Sequence, residues 1–143
     1  MGTVATLPAR LYCDPENFAA EQACIFRRHW MLVAHQEQLR SPGEFVTAEI
    51  GGLPVFVLRG RDGELRGFHN LCRHRASPLL LAGRGQCGVL RCPYHGWVYD
   101  QDGRLRKAPG FEAAALDPAE WGLHAVRVES WNGLVFACAD PDA

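Results

Sequence analysis

At 143 residues, with 48% hydrophobic and 22% charged side chains, the chain has the size and composition of one compact domain with a modest core. A net charge of −1 leaves no basic footprint for nucleic acid. No apolar run is long enough to span a membrane and the N-terminus carries no signal-peptide core, so neither a nucleic acid nor a membrane is expected as a partner.

Residues 1 to 11 read as a mobile arm, and Met1–Thr6 fit the short myristoylation pattern M-G-x-x-x-[ST], which chance produces often. Asp14-Pro15-Glu16 reads as a helix start, with an N-cap, a proline at the first helical position and an acid in the first turn. Phe18, Gln22, Ile25, Phe26, His29 and Trp30 then share one helical face. Phe26 and Trp30 are expected in the core, and His29 at its polar rim rather than on a metal.

From Gly43 the texture changes to short β-type runs separated by turn residues. Strands are expected at 44–50, 53–59 and 64–70, with Gly51-Gly52 and Asp62-Gly63 as hairpin turns. Further strands are expected at 89–91, 97–100, 104–107, 124–129 and 134–138, with Gln101-Asp102-Gly103 as another turn. Gly83, Gly85 and Gly88 make the segment before residue 89 permissive, as a chain that folds back requires. The fold class is therefore mostly β with an N-terminal helix. The domain spans 1–143, with the arm and helix at about 1–31.

Two short motifs carry the chemistry. Cys72-Arg-His74 and Cys92-Pro-Tyr-His95 form the pattern C-x-H-x17-C-x-x-H, which offers two thiolates and two imidazoles from loops at about 70–78 and 91–97. A [2Fe–2S] cluster of mixed ligation needs that set, with two Cys on one iron and two His on the other. Two ferric ions and two sulfides carry about +2, which two thiolates neutralise, whereas four thiolates leave about −2. A neutral cluster accepts an electron more readily, so its potential lies at roughly −150 to +300 mV, above all-Cys ferredoxins. Zinc also takes two Cys and two His, but its usual spacing pairs like with like, and here each loop gives one of each. A plant-type cluster wants C-x4-C-x2-C; Cys87 and Cys92 supply the first half, and His95 stands at the third position. A single Cys–His pair would be read as core filler and a loop histidine. Two pairs, with Pro93 and Gly96 flanking the second, point to a metal centre. Gly96 is expected to let the backbone approach the cluster closely.

The runs Asn70-Leu-Cys72-Arg-His74-Arg and Cys92-Pro-Tyr-His95-Gly-Trp97-Val-Tyr99-Asp100 resemble the Rieske domain of ring-hydroxylating oxygenase large (alpha) subunits. The likeness extends to Gly103-Arg-Leu105, Pro109, Ile25-Phe26, Trp30 and Gly43-Glu-Phe45. It implies a small antiparallel β-sandwich with cluster-binding loops. It also implies that Cys72 and Cys92 hold the inner iron while His74 and His95 hold the outer, reducible one. High-potential Rieske proteins carry an extra disulfide between these loops, at positions that are Ser77 and Tyr94 here, and a serine where this chain has Trp97. Tyr99 keeps its place. Fewer hydrogen bonds to sulfur imply a potential near the low end. By the same resemblance Trp97 and Tyr99 shield and tune the cluster. Ala108-Pro109-Gly110 either covers it as a third loop or simply ends a strand. Arg73 and Arg75 flank His74 as a docking surface or as solvated charge, and solvation is the expectation for Arg73.

The resemblance implies a reductase or ferredoxin as electron donor and a mononuclear-iron catalytic domain as acceptor, reached in a neighbouring subunit through an aspartate at His95. It implies a homo-oligomer if the chain is part of an oxygenase. The acceptor iron takes two His and a carboxylate, with an acid before H-x4-H. His69 and His74 have that spacing, but Arg66 stands at the acidic position, and His29, His35 and His124 form no facial set. No catalytic residue is assigned to this chain. Its expected role is electron transfer, as an oxygenase component or as a stand-alone ferredoxin-type carrier, with a structural zinc module as the rival class. Cys13, Cys24, Cys87 and Cys138 suggest no disulfide framework, which fits the cytoplasm.

Overall fold

The computed structural model describes residues 6–111 and 116–142; the myristoylation pattern lies outside them except for Thr6. Within the expected arm a four-residue helix, α1, forms at Arg10–Cys13. Helix α2, Pro15–Glu21, starts where the sequence says it should: Asp14 Oδ1 accepts the Glu16 N–H at 2.9 Å, and Pro15 occupies the first turn. It continues into a π-helical turn, Gln22–Phe26. The wider turn breaks the helical register, and here the expected core face is not buried. Phe18 is 57% exposed and Ile25 49%, Trp30 lies under Arg127, and only Phe26 of the apolar set is half-buried. Arg27 anchors the segment instead, donating from Nε to the Gly51 carbonyl at 2.6 Å.

Ten strands follow among the described residues: β1 Met31–His35, β2 Glu44–Ile50, β3 Leu53–Arg59, β4 Leu65–His69, β5 Arg84–Gln86, β6 Leu90–Arg91, β7 Val98–Tyr99, β8 Leu105–Lys107, β9 Ala125–Trp131 and β10 Leu134–Cys138. They form an antiparallel seven-stranded sheet, β1-β10-β9-β4-β3-β2-β5, and a small sheet, β6-β7-β8. Strands β1 and β5 were not expected. The first follows directly on the helical face, and its Met-Leu-Val-Ala run lacks alternation. It carries a bulge at Val33. The second is glycine-rich, and Gly85 serves close packing there: a Cβ would sit 2.9 Å from Phe45 Cζ.

Strand β3 explains the architecture. Val55 and Val57 face one core with Ile50, Val126, Val135 and Ala137, while Phe56 and Leu58 face a second with Phe68, Leu90, Trp97, Tyr99 and Leu105. A strand buried on both faces reads as a continuous apolar run, which Val-Phe-Val-Leu is. The first core fills the curl of the large sheet; the second joins it to the small sheet, and so to the metal-centre loops. Gly51 and Gly52, at φ +56° and +77°, make the turn between β2 and β3, and Asn132-Gly133 makes the same kind of turn between β9 and β10.

Gly103, at φ +78°, sets the distance between the two sheets: a Cβ there would lie 2.4 Å from Phe68 Cε1. Gly63, at φ +87°, faces open space. Gly103→Ala is therefore expected to cost about 2–4 kcal/mol and Gly63→Ala about 1 kcal/mol. Thermal unfolding followed by circular dichroism at one scan rate checks this, with Gly103→Ala melting several degrees below Gly63→Ala.

Candidate metal centre

The two motif loops have the same backbone design. In the first, Cys72 N–H donates to the Ser77 carbonyl at 2.8 Å, and Ala76 N–H donates back to the Cys72 carbonyl at 2.9 Å. In the second, Cys92 N–H donates to the Trp97 carbonyl at 2.8 Å, and Gly96 N–H donates to the Cys92 carbonyl at 3.0 Å. Each loop thus closes around its cysteine with bonds to the residues four and five positions on. The fourth must turn left-handed in both: Ala76 has φ +51° and Gly96 φ +72°. Glycine meets that requirement at residue 96 without strain, and the nearest protein atom to a Cβ there would be Pro109 Cγ at 3.8 Å.

Only the second loop is a hairpin tip, joining β6 to β7. The first leaves β4 and continues towards β5, on the far side of β2 and β3, so it is not a hairpin tip. Asn70, buried at 5% exposure, holds it shut. Its Oδ1 accepts the N–H groups of Leu79 and Leu80 at 3.1 and 3.0 Å, and its Nδ2 donates to the Leu80 carbonyl at 2.8 Å. Gln101, also buried, donates from Nε2 to the Cys87 carbonyl at 2.8 Å and ties the β7–β8 turn to the chain entering β6. Neither role has a signal in a single sequence beyond the polarity of the residue.

The loops bring all four motif side chains together. Cys72 and Cys92 are buried, 3% and 2% exposed, and near enough for each to shift the other's thiol. His74 and His95 are half-buried, with ring centroids 4.5 Å apart. Burial pushes the Cys72 thiol up; at Cys92 burial acts the same way but is outweighed by the His95 and Tyr94 N–H groups, so that thiol is lowered. Tyr99, fully buried, lies 3.4 Å from Cys72 Sγ through its hydroxyl, which accepts the Arg73 N–H at 3.1 Å. Burial and then Cys72 raise the Tyr99 pKa, so the phenol keeps its proton and can donate it to that sulfur.

Trp97 lies parallel to the His74 ring, at 5.0 Å and 4°, and Phe111 meets both rings edge-on. The segment after β8 therefore ends a strand and also passes over the loops, with Pro109 near Gly96. Tyr94 tilts over His95 at 3.7 Å and is 61% exposed. Burial, then His95 and Arg75, lower the His74 pKa, which favours the neutral imidazole that a metal requires. Its Nδ1 is buried without a hydrogen-bond partner. A buried acceptor nitrogen left bare is costly, and metal ligation removes that cost. Among the described residues no three His, Cys, Asp or Glu side chains converge to hold a single ion. A two-iron cluster, with two protein ligands per iron, needs no such convergence. The donor set, the orphaned nitrogen and the inner-sulfur, outer-imidazole arrangement all fit a [2Fe–2S] group of mixed ligation.

Arg73, expected to be solvated, is half-buried and donates from Nη1 to the His124 ring, where Nε2 is the nearer nitrogen. His29 is exposed and held by the Ile25 carbonyl, well apart from the motif loops in sequence and contacts. Cys87 is half-buried beside the second core, and burial raises its thiol.

Residues 29–130 match the family model of the Rieske [2Fe-2S] domain. The oxygenase subunit of glycine betaine monooxygenase from Pseudomonas aeruginosa is 38% identical over 131 residues, covering 92% of this chain and 30% of that protein. The oxygenase subunit of carnitine monooxygenase from Escherichia coli is 41% identical over 140 residues, covering 96% and 37%. In three dimensions the apo form of a quaternary ammonium Rieske monooxygenase superposes with a TM-score of 0.89 at 34% identity, covering 96% of this chain and 40% of that one. Naphthalene 1,2-dioxygenase with bound indole follows at 0.87 and 36%, covering 93% and 31%. The chain spans about a third of the length of these curated relatives. Two matched loops around buried cysteines, the sheets that carry them and the kinship with oxygenase subunits lead to one assignment: the chain belongs to the Rieske [2Fe–2S] domain family, in the company of the alpha subunits of Rieske oxygenases.

Proposed function

We propose that Cys72, His74, Cys92 and His95 hold the [2Fe–2S] cluster, and that the domain passes single electrons from a reductase or ferredoxin to a mononuclear iron outside this chain. The observation that carries this reading is the bare, buried Nδ1 of His74, in a ring 4.5 Å from that of His95, on the two loops that also carry the buried Cys72 and Cys92. The cluster supplies one-electron redox chemistry when bound. The protein's residues do the rest. Cys72 and Cys92 exclude water from the inner side. Tyr99 directs a hydrogen bond at the Cys72 sulfur, Trp97 fixes the plane of the His74 ring, and Tyr94 covers His95. His95, on the exposed second loop, is the edge we assign to the acceptor. A relative whose structure is described in terms of inter-subunit electron transfer supports an acceptor in a neighbouring subunit, and hence a homo-oligomeric assembly.

No helix among the described residues is long and apolar enough to cross a membrane, and all six cysteines are free. Free thiols at this density suit a reducing compartment, so we place the protein in the cytoplasm.

Purified without oxygen, the protein is expected to hold iron and acid-labile sulfide in equal amounts, about two of each per chain. His95→Ala and His74→Ala should abolish the mixed-ligand EPR signal while Cys87→Ser keeps it; the opposite pattern contradicts the ligand assignment. Supplied with a reductase, the isolated chain should take up one electron per cluster and oxidise no organic substrate, so product formation by the iron-replete chain would refute the reading. Tyr99→Phe should lower the midpoint potential by a few tens of millivolts, because the lost hydrogen bond stabilises the more negative reduced cluster by about 1 kcal/mol more than the oxidised one. Protein-film voltammetry reads that shift.

A further inference from the structure

Strand β10, Leu134-Val-Phe-Ala-Cys138, is apolar at every position, as β3 is over Val-Phe-Val-Leu. Such a run marks a strand covered on both faces, and β3 is one. On β10 one face is covered: Val135 and Ala137 enter the first core beside Val126 and Ala34. On the other, Cys138 is buried against the Arg27 carbonyl, but Leu134 and Phe136 are only half-buried. The register extends this outer face to both neighbours. Phe136 lies between Leu32 of β1 and Glu129 of β9, and Leu134 between His35 and Trp131. Along β9 the outward row is Ala125, Arg127, Glu129 and Trp131, all exposed. Trp131 is 70% exposed and Leu32 58%. The Arg127 guanidinium lies 4.9 Å over the Trp30 ring, which adds Trp30 to the same face. Apolar side chains carried outwards on three adjacent strands form a patch, and a patch of this kind marks an interaction surface.

The order of residues along β9 identifies the occupant. Two copies laid face to face about a two-fold axis that crosses β9 at Val128 run their β9 strands antiparallel. That axis sets Arg127 of one protomer opposite the partner's Glu129 and repeats the pair on its other side. It also sets the bulky Trp131 opposite the partner's Ala125. Leu32 shares a row with Glu129 and Trp30 shares one with Arg127, so Leu32 meets the partner's Trp30. Charge meets opposite charge, bulk meets space and apolar meets apolar. A face bearing one sign of charge would repel its own copy. We propose that the outer face of β1-β10-β9 is an interface with a second copy of this chain, in a closed two-fold dimer. It contains none of the four motif residues, and it does not depend on the electron-transfer reading.

Sedimentation equilibrium tests this on the cluster-loaded 143-residue chain. At micromolar concentration the parent should show twice the mass of one chain. Trp131→Lys, at a position exposed in the protomer, should keep the parent's circular dichroism and sediment as a monomer. Arg127→Glu and Glu129→Arg each create two like-charge contacts across the axis and should weaken association by about tenfold or more. Arg84→Glu, on the exposed strand β5 and with the same change in charge as Arg127→Glu, should match the parent. An equimolar mixture of Arg127→Glu and Glu129→Arg makes both contacts complementary again and should yield a mixed dimer. The double exchange Arg127→Glu/Glu129→Arg should dimerise with itself for the same reason. Recovery in the mixture separates a lost contact from a lost fold, because neither variant is altered by mixing. A parent that stays monomeric overturns the proposal, and the face then belongs to a different partner. A dimer indifferent to Trp131→Lys and to both charge changes overturns it too, since another surface would then join the copies. So do a mixture that fails to associate and an assembly of more than two copies, which a closed two-fold contact does not allow.

Discussion

Two buried cysteines held within reach of each other are the constraint on which the rest of this structure depends. A desolvated thiol resists ionisation, and two together resist it more, because each thiolate disfavours the next. The loops oppose this with fixed dipoles: the N–H groups of Tyr94 and His95 lower Cys92, and the Tyr99 hydroxyl is aimed at Cys72. These groups stabilise negative charge on sulfur before any metal arrives. Backbone amides provide that stabilisation only if the loop cannot relax. The paired backbone bonds around each cysteine, with a left-handed residue four positions on, prevent it from doing so.

Rigidity at the loops comes from the second core. Trp97 and Tyr99 immediately follow the second loop and are fully buried between the two sheets, packed with Phe56, Phe68 and Leu105. The same two residues reach back to the centre, one over His74 and the other at Cys72. A change in packing between the sheets is therefore felt at Cys72 and His74 through one or two side chains. Asn70 does the equivalent work for the first loop, whose far end runs away to β5 rather than returning along a neighbouring strand.

The centre is asymmetric in a way that suits through-traffic of electrons. His74 is enclosed by Trp97 and Phe111 and flanked by two arginines, and His95 sits under a solvent-facing tyrosine. The exposed apolar side chains of the N-terminal helical segment lie apart from both edges in sequence, and the relatives that this chain matches are about three times its length.

The sequence determined the chemistry. Two Cys–His pairs at their spacing specify a mixed-ligand cluster through coordination chemistry alone, and Asp14-Pro15, Gly51-Gly52 and the alternating or continuous apolar runs specify their elements through local backbone preference. Tertiary structure decided whatever depends on partners distant in the chain. The helical face expected in the core is exposed because a π-turn and Arg27 orient the segment differently. Strands β1 and β5 exist because β10 and β2 offer them hydrogen-bonding edges. Arg73 is held rather than solvated because β9 begins beside His124, 51 residues away in the chain. The two Cys–His motifs are written in short-range pattern. The surface that a partner meets is written in long-range contacts, and a single sequence does not show which residues those contacts bring together.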